Sequence, residues 1–258
     1  VVTFHQPPDI LEREITKGDV MGRAYAVTHR LNPSRFRRLA AAIVLTESQR
    51  EVLAKVMDPN KIHVIPLGCD AEGLISQSKS VPRKIQSDTI LTVGNWLRDW
   101  DFYFGFVEYC YQTRADWKFV LINRHLHEKW RKRAVSLPNL VYRKDVTDGE
   151  LVKAYVNSSA QFLPLLAATG NNSLNEALAC GCPIVSNHSI PLANAQCYSS
   201  FVDLKNCEVA TAIEKWSNQP SIERNNAINA AQKALRTLDW SVVARQTISI
   251  YNKVINGN

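Results

Sequence analysis

No run of apolar residues in this 258-residue chain is long enough to cross a bilayer as a helix. Residues 1–15 lack the basic start and apolar core of a secretory leader, so no signal peptide is expected. The six cysteines (Cys69, Cys110, Cys180, Cys182, Cys197 and Cys207) form no C-x-x-C pair and have no matched histidine spacing, which argues against a zinc site. They are expected to be reduced thiols of a cytoplasmic protein. Internal repeats and low-complexity tracts are also missing, which excludes solenoid and fibrous architectures. The chain does not begin with Met, and Val1-Val2-Thr3-Phe4 reads as a strand entered directly, as in a fragment or a processed product.

What is present is ordinary for a globular protein: 45% hydrophobic and 21% charged residues. The balance of 31 Lys and Arg against 24 Asp and Glu gives a net charge of +7, which suits phosphate-bearing substrates, anionic lipid or nucleic acid without choosing among them. Nucleic acid is not expected, because no basic stripe interleaved with aromatics and no known binding motif occurs. Two basic clusters stand out: Arg35, Arg37 and Arg38, and Lys129, Arg131, Lys132 and Arg133. Each reads either as a solvated helix face or as a membrane-docking surface. Phe36 and Leu39 interleave with the first cluster as an interfacial helix would require.

Strand and helix signals alternate along the chain. Residues 1–4, 41–46 and 61–68 read as strands, with a helical, partly basic region over about 11–39 and a helix after Thr46 or Ser48. Residues 69–88 are polar and read as a hinge or linker. Residues 89–258 then repeat the alternation and end in helices. This grammar predicts an α/β protein with Rossmann-like parallel sheets and right-handed crossovers. It divides into a partial domain (1–68), the hinge (69–88) and a complete domain (89–258) whose last helix is free to pack back on the first.

The most telling stretch is residues 162–187. An apolar strand (Phe162 to Leu166) runs into a small, polar loop (Ala167 to Asn172). A helix carrying Glu176-Ala177 follows and ends at Gly181, and Pro183 opens a second apolar run. A loop at the carboxyl end of a strand and the amino end of a helix is where parallel sheets bind anions and nucleotides. The spacing of Pro164, Glu176-Ala177, Ala179, Gly181 and Pro183 resembles the donor-binding signature of retaining nucleotide-sugar glycosyltransferases of the two-domain GT-B fold, group 1, family 4-like. Val2-Thr3-Phe4-His5 and Ile62-His63-Val64-Ile65-Pro66-Leu67-Gly68 are similar to that family's mid-domain strand and its hinge. The match implies a GT-B enzyme whose first domain lacks its leading strands.

The resemblance also implies roles. Glu176 would accept hydrogen bonds from the ribose hydroxyls, a task suited to a two-oxygen acceptor. Asn171, Asn172 and Ser173 would present backbone amides to the diphosphate or the sugar. Gly94 and Arg98 would take the diphosphate, Gly94 because close approach of backbone to phosphate requires a missing Cβ. His5 would act at the cleft, and Lys144, Arg124 and His125 are cleft candidates by position. Local readings compete. Ser173 and Glu176 fit a capping box, Gly170 fits a turn at positive φ, and Arg98 fits a surface ion pair with Asp99 or Asp101. The six tryptophans read as packing residues. The family's usual first glutamate is Ala168 here, and the loop departs from the usual Gly-Phe-Gly.

The function so implied is transfer of a sugar from a nucleoside-diphosphate sugar to a saccharide or lipid-linked acceptor, with retention. No cofactor or metal is expected, because helix amino termini and basic side chains can stabilise the leaving diphosphate. The expected place is the cytoplasm or the inner face of the membrane, with peripheral membrane contact. The rival reading is a nucleotide-sugar-binding or scaffolding protein of the same fold with eroded catalytic groups.

Overall fold

The computed structural model describes residues 1–16, 36–83, 86–187 and 198–257. The chain forms two compact units, residues 1–68 with 240–258, and residues 69–239.

The first unit holds a three-stranded parallel sheet of β1 (Val2–Phe4), β2 (Ala42–Val44) and β3 (Ile62–Val64), in the order β1-β2-β3. Side chains alternate across a strand, and β2 uses both faces. Ala42 and Val44 join Phe4, Leu11, Phe36 and Leu53 in one cluster beneath α1 (Pro8–Thr16) and α2 (Glu47–Leu53). Ile43 turns the other way, to Val243 and Ile250 of the last helix, α10 (Trp240–Asn256). The final helix is therefore part of this unit. Thr46, rather than Ser48, caps α2, in a box completed by Gln49. Gln49 is fully buried and also donates to the carbonyls of Phe4 and Gln6 at 3.3 and 2.7 Å, fixing the turn around His5.

Phe36 corrects an expectation. It is buried in the core, with its ring centroid 5.9 Å from that of Phe4, and Leu39 packs against the same cluster. The residues that would have formed the apolar face of an interfacial helix are spent on the core. Arg35 lies outside the described residues, as does most of the helical region expected over 11–39. The second basic cluster is partly neutralised: Arg133 pairs with Glu108 at 2.8 Å, Lys132 with Glu128 at 3.1 Å, and Trp130 is buried.

Gly68 packs without room for a side chain against Trp240 of the same unit. A Cβ there would lie 2.5 to 2.9 Å from three ring atoms of Trp240. Gly68→Ala is expected to lower the stability of the first unit by about 1–3 kcal/mol. A thermal melt checks this, and in a Trp240→Ala background the same change should cost almost nothing.

The second unit is built on a six-stranded, all-parallel sheet: β4 (Gln86–Val93), β5 (Lys118–Ile122), β6 (Leu140–Arg143), β7 (Ser158–Leu163), β8 (Ile184–Ser186) and β9 (Ser199–Phe201). Their spatial order is β6-β5-β4-β7-β8-β9. Counted within the unit this is the 3-2-1-4-5-6 order of a doubly wound sheet, whose ligand crevice opens where the order reverses, here between β4 and β7. The connecting helices are α4 (Trp100–Thr113), α5 (Glu128–Ser136), α6 (Asp148–Asn157) and α7 (Asn172–Ala179), followed by α8 (Asn206–Ser217) and α9 (Ser221–Leu235). Helix α4 buries Tyr103, Phe104, Phe106, Val107 and Cys110, a helical spacing that lays one apolar stripe on the sheet. Strand β7 is buried throughout, as a central parallel strand must be.

Residues 69–88, expected as a hinge, belong to this unit. They contain α3 (Ala71–Ser80), capped by Asp70 and buried along Ala71, Ile75 and Ser78, followed by the start of β4. That i, i+4, i+7 stripe is thin enough to pass for polar sequence. Strand β9 was not anticipated, being three residues of Ser-Ser-Phe. The described cysteines are free thiols, and Cys197 lies outside the described residues.

Candidate functional site

The β4 and β7 loops meet at the reversal of strand order. Gly94 ends β4 with φ +91°, a conformation that favours glycine. Its amide donates to the Ile122 carbonyl at 3.1 Å, and Leu97 follows at φ +54°. The chain then laces to the loop after β7. Leu166 N donates to Leu97 O at 2.9 Å, and Asp99 N donates to Pro164 O at 3.0 Å. Asn187, past β8, clamps that second loop by accepting from Leu165 N and donating to Leu165 O, each at 2.8 Å.

Arg98 lies inside this lacing and is 5% exposed. Its Nη2 donates to Val93 O at 2.8 Å and to Ser173 Oγ at 3.0 Å, and Nη1 donates to Trp96 O at 3.1 Å. The Nε hydrogen is buried without a partner. Burial lowers its pKa from 12.5 to about 10, and among the described residues no carboxylate bears on its charge. The side chain therefore remains a cation at neutral pH. The surface ion pair expected with Asp99 or Asp101 is not formed, because Asp99 caps α4 by accepting from Phe102 N at 2.9 Å and Asp101 is exposed. Asp99 and Asp101 stand in Asp-x-Asp spacing, and this capping is the use the described structure makes of the first of them. Gly94 has positive φ, and a Cβ there would meet Arg98 Nη2 at 3.0 Å.

Helix α7 begins against this cation. Its N-cap is Asn171, not Ser173, and the cap makes no side-chain bond to the backbone. Instead, Asn171 Oδ1 accepts from Ser173 Oγ at 2.7 Å. Ser173 lies in the first turn, so the capping box expected with Glu176 does not form. Asn172 is exposed at the first helical position, and Gly170 is not among the described glycines at positive φ. The helix's other end follows the usual dipole rule: Arg83 donates to the Gly181 and Cys180 carbonyls at 2.8 Å each. The amino end reverses it, with buried Arg98 where an anion belongs.

Glu176 sits one turn further along α7, half-buried. Its Oε2 accepts from the Tyr155 hydroxyl at 2.9 Å. Burial raises its pKa above the usual carboxylate value, the Tyr155 bond lowers it and Asp148 adds to the rise.

Gly94, Arg98, Asn171, Ser173 and Glu176 are thus assembled around one end of α7. Lys144 is exposed after β6, an edge strand separated from β4 by β5. Arg124 pairs with Asp145 at 3.3 Å, and the His125 amide donates to Asn123 Oδ1 at 2.9 Å. His5 is exposed at the end of β1, in the first unit. Ala168 packs against the core. Sequence reasoning missed Tyr155, Asn187 and Asn123, the last 2% exposed and donating to Asn95 Oδ1 at 3.1 Å. Trp96, expected as a packing residue, is 59% exposed on the β4 loop.

No protein-family model matches the chain. No curated protein matches it in sequence. Solved structures do match in shape. An α,α-trehalose-phosphate synthase (UDP-forming) from Burkholderia vietnamiensis superposes with a TM-score of 0.75 at 12% identity, over 98% of this chain and 69% of that one. TarM of S. aureus gives 0.71 at 14% identity, over 97% of this chain and 50% of that one. AviGT4, a glycosyltransferase involved in avilamycin A biosynthesis, gives 0.63 at 15%, over 84% and 64%. The fold is that of the GT-B glycosyltransferases. The chain spans about two-thirds of the GT-B synthase and half of TarM. The six-stranded sheet and the candidate site both lie in the second unit.

Proposed function

We propose that the chain carries the donor site of a glycosyltransferase that moves a sugar from a nucleoside-diphosphate sugar to a saccharide or lipid-linked acceptor. One observation carries the reading: a buried arginine with no carboxylate partner among the described residues, at the amino terminus of a helix and at the switch point of a doubly wound sheet. Burying an unpaired charge is costly, and a helix amino terminus already favours an anion. A diphosphate satisfies both. In the reaction the anomeric C–O bond breaks and negative charge develops on the departing diphosphate, where Arg98 and the α7 amides stabilise it. Glu176, freed from a capping role, binds the ribose through Oε1, which accepts no hydrogen bond from the described residues.

Retention is proposed from the spacing of Glu176, Ala177, Ala179, Gly181 and Pro183, and the anomer of the product, read by NMR, tests it. Independence of a metal is proposed because the cation and the helix end supply the charge a metal would bring; turnover unchanged by chelator tests it. The synthase neighbours are UDP-forming and TarM is solved with UDP, so UDP is the first nucleotide to try.

Calorimetric titration with UDP, GDP and ADP decides the reading: micromolar binding of one supports it, and binding of none rejects it. Ala168, apolar where the family places an acid, favours the second reading, nucleotide-sugar binding without transfer. Micromolar binding with no turnover would select that one. Glu176→Gln is expected to cut the preference for a ribonucleotide over its 2′-deoxy form by roughly tenfold. The diol needs the carboxylate, and burial raises the Glu176 pKa. The preference should therefore fade as pH drops, beginning above the usual carboxylate range.

A further inference from the structure

We propose that Tyr155 is a positioning residue of the donor site, its phenol holding Oε2 of Glu176 so that an ionised Oε1 stays open to the ribose diol. The proposal rests on the role of Glu176 given above.

The geometry starts in α6. Thr147 and Glu150 form a capping box that starts the helix, and Val152, Tyr155 and Val156 turn inward at i, i+3, i+4. Tyr155 is fully buried, and a buried phenol needs a partner. Its oxygen lies 2.9 Å from Glu176 Oε2 and 3.3 Å from the Ser173 carbonyl. It has one hydrogen for two acceptors. The shorter bond, to a charged acceptor, is the stronger one.

The groups around Glu176 give that bond its consequence. Burial disfavours its charge. Asp148, at the start of α6, disfavours it further. Cys69, just before α3, and Cys180, at the end of α7, are close enough to feel the carboxylate and are themselves held protonated by burial. Tyr155 is the one described group that favours the carboxylate form. Ser173, whose carbonyl lies 3.3 Å from this phenol, accepts the Arg98 hydrogen bond on its hydroxyl. One phenol therefore lies against both the diol-binding carboxylate and the serine that contacts the phosphate-binding cation.

The test uses the whole chain and whichever of UDP, GDP and ADP binds tightest, with its 2′-deoxy counterpart, from pH 5 to 8. In Tyr155→Phe the ribose preference should fall about tenfold at the acid end of the range. The pH at which it fades should move upward, because the one bond favouring ionisation is gone. In a Glu176→Gln background, Tyr155→Phe should leave the preference unchanged. A thermal melt of each variant confirms folding. A wild type that binds no nucleotide, or does not discriminate ribose, overturns the role of Glu176 itself. If the wild type discriminates while Tyr155→Phe keeps both the preference and its pH profile, the positioning role alone falls.

Discussion

Arg98→Met is expected to weaken nucleoside diphosphate binding by about 100-fold and to leave the protein folded. The first half follows from what the guanidinium does not do. Its three hydrogen bonds go to the carbonyls of Val93 and Trp96 and to the Ser173 hydroxyl. None of these carries a charge, so among the described residues the cation has no counter-ion. Removing one partner of a buried charge pair typically costs 2–5 kcal/mol, and 100-fold corresponds to about 2.7 kcal/mol, in the lower half of that range. The second half is a balance. Methionine fills much of the aliphatic stem's space and removes a costly buried charge, but it leaves two carbonyls without donors. These terms oppose each other, and the net stability change should stay within about 2 kcal/mol. The nucleoside alone, without phosphates, should bind the variant as it binds the wild type. Arg98→Lys should restore only part of the loss, because an ammonium cannot satisfy the carbonyls and a phosphate with one planar fork. Diphosphate affinity within threefold of wild type for Arg98→Met would mean that Arg98 merely braces its loop.

The parts of this site differ in how far sequence reveals them. The strand–loop–helix–strand course of residues 162–187 was readable because each step has its own period and punctuation: an apolar run, small polar residues, then Gly181 and Pro183. The parallel sheet was readable for the same reason. The competing capping-box reading fails because Ser173-x-x-Glu176 fits the pattern at any register, and a shift of two residues to Asn171 converts a cap into a first-turn serine. That shift matters, since it releases both Ser173 and Glu176 for other partners. Arg98 looked like a surface residue beside Asp99 and Asp101. Its burial comes from long-range lacing to Pro164 and Leu166, which no local pattern encodes. Tyr155 was invisible for a related reason. It is one inward residue of an ordinary amphipathic helix, and only the packing of α6 beside α7 gives its hydroxyl a carboxylate. The hinge over 69–88 failed on composition, because α3 needs only Ala71, Ile75 and Ser78 to bury a face.

Phe162→Ala is the substitution with the largest expected effect on stability, a loss of about 3–5 kcal/mol in the second unit. Phe162 is fully buried on β7. Its ring centroid lies 5.1 Å from that of Phe106, 6.2 Å from Phe102 and 6.3 Å from Tyr103, all on α4. These contacts join the central strand to the helix that follows β4, so the aromatic cluster lies directly beneath the two loops of the site. The backbone cannot collapse into the space the ring leaves. The Phe162 carbonyl accepts from Thr92 Oγ1 at 2.8 Å, and β7 is held on one side by β4 and on the other by β8. Truncation therefore leaves a cavity rather than a repacked core, the circumstance in which such losses are greatest. Urea unfolding followed by far-ultraviolet circular dichroism should show the midpoint moving down with the slope unchanged. Phe162→Leu, which keeps most of the apolar volume, should recover more than half of the loss. If Phe162→Ala cost less than 1 kcal/mol, α4 would have to move onto the sheet, and nucleotide affinity would then fall with it because Asp99, its cap, is tied to Pro164 on the β7 loop.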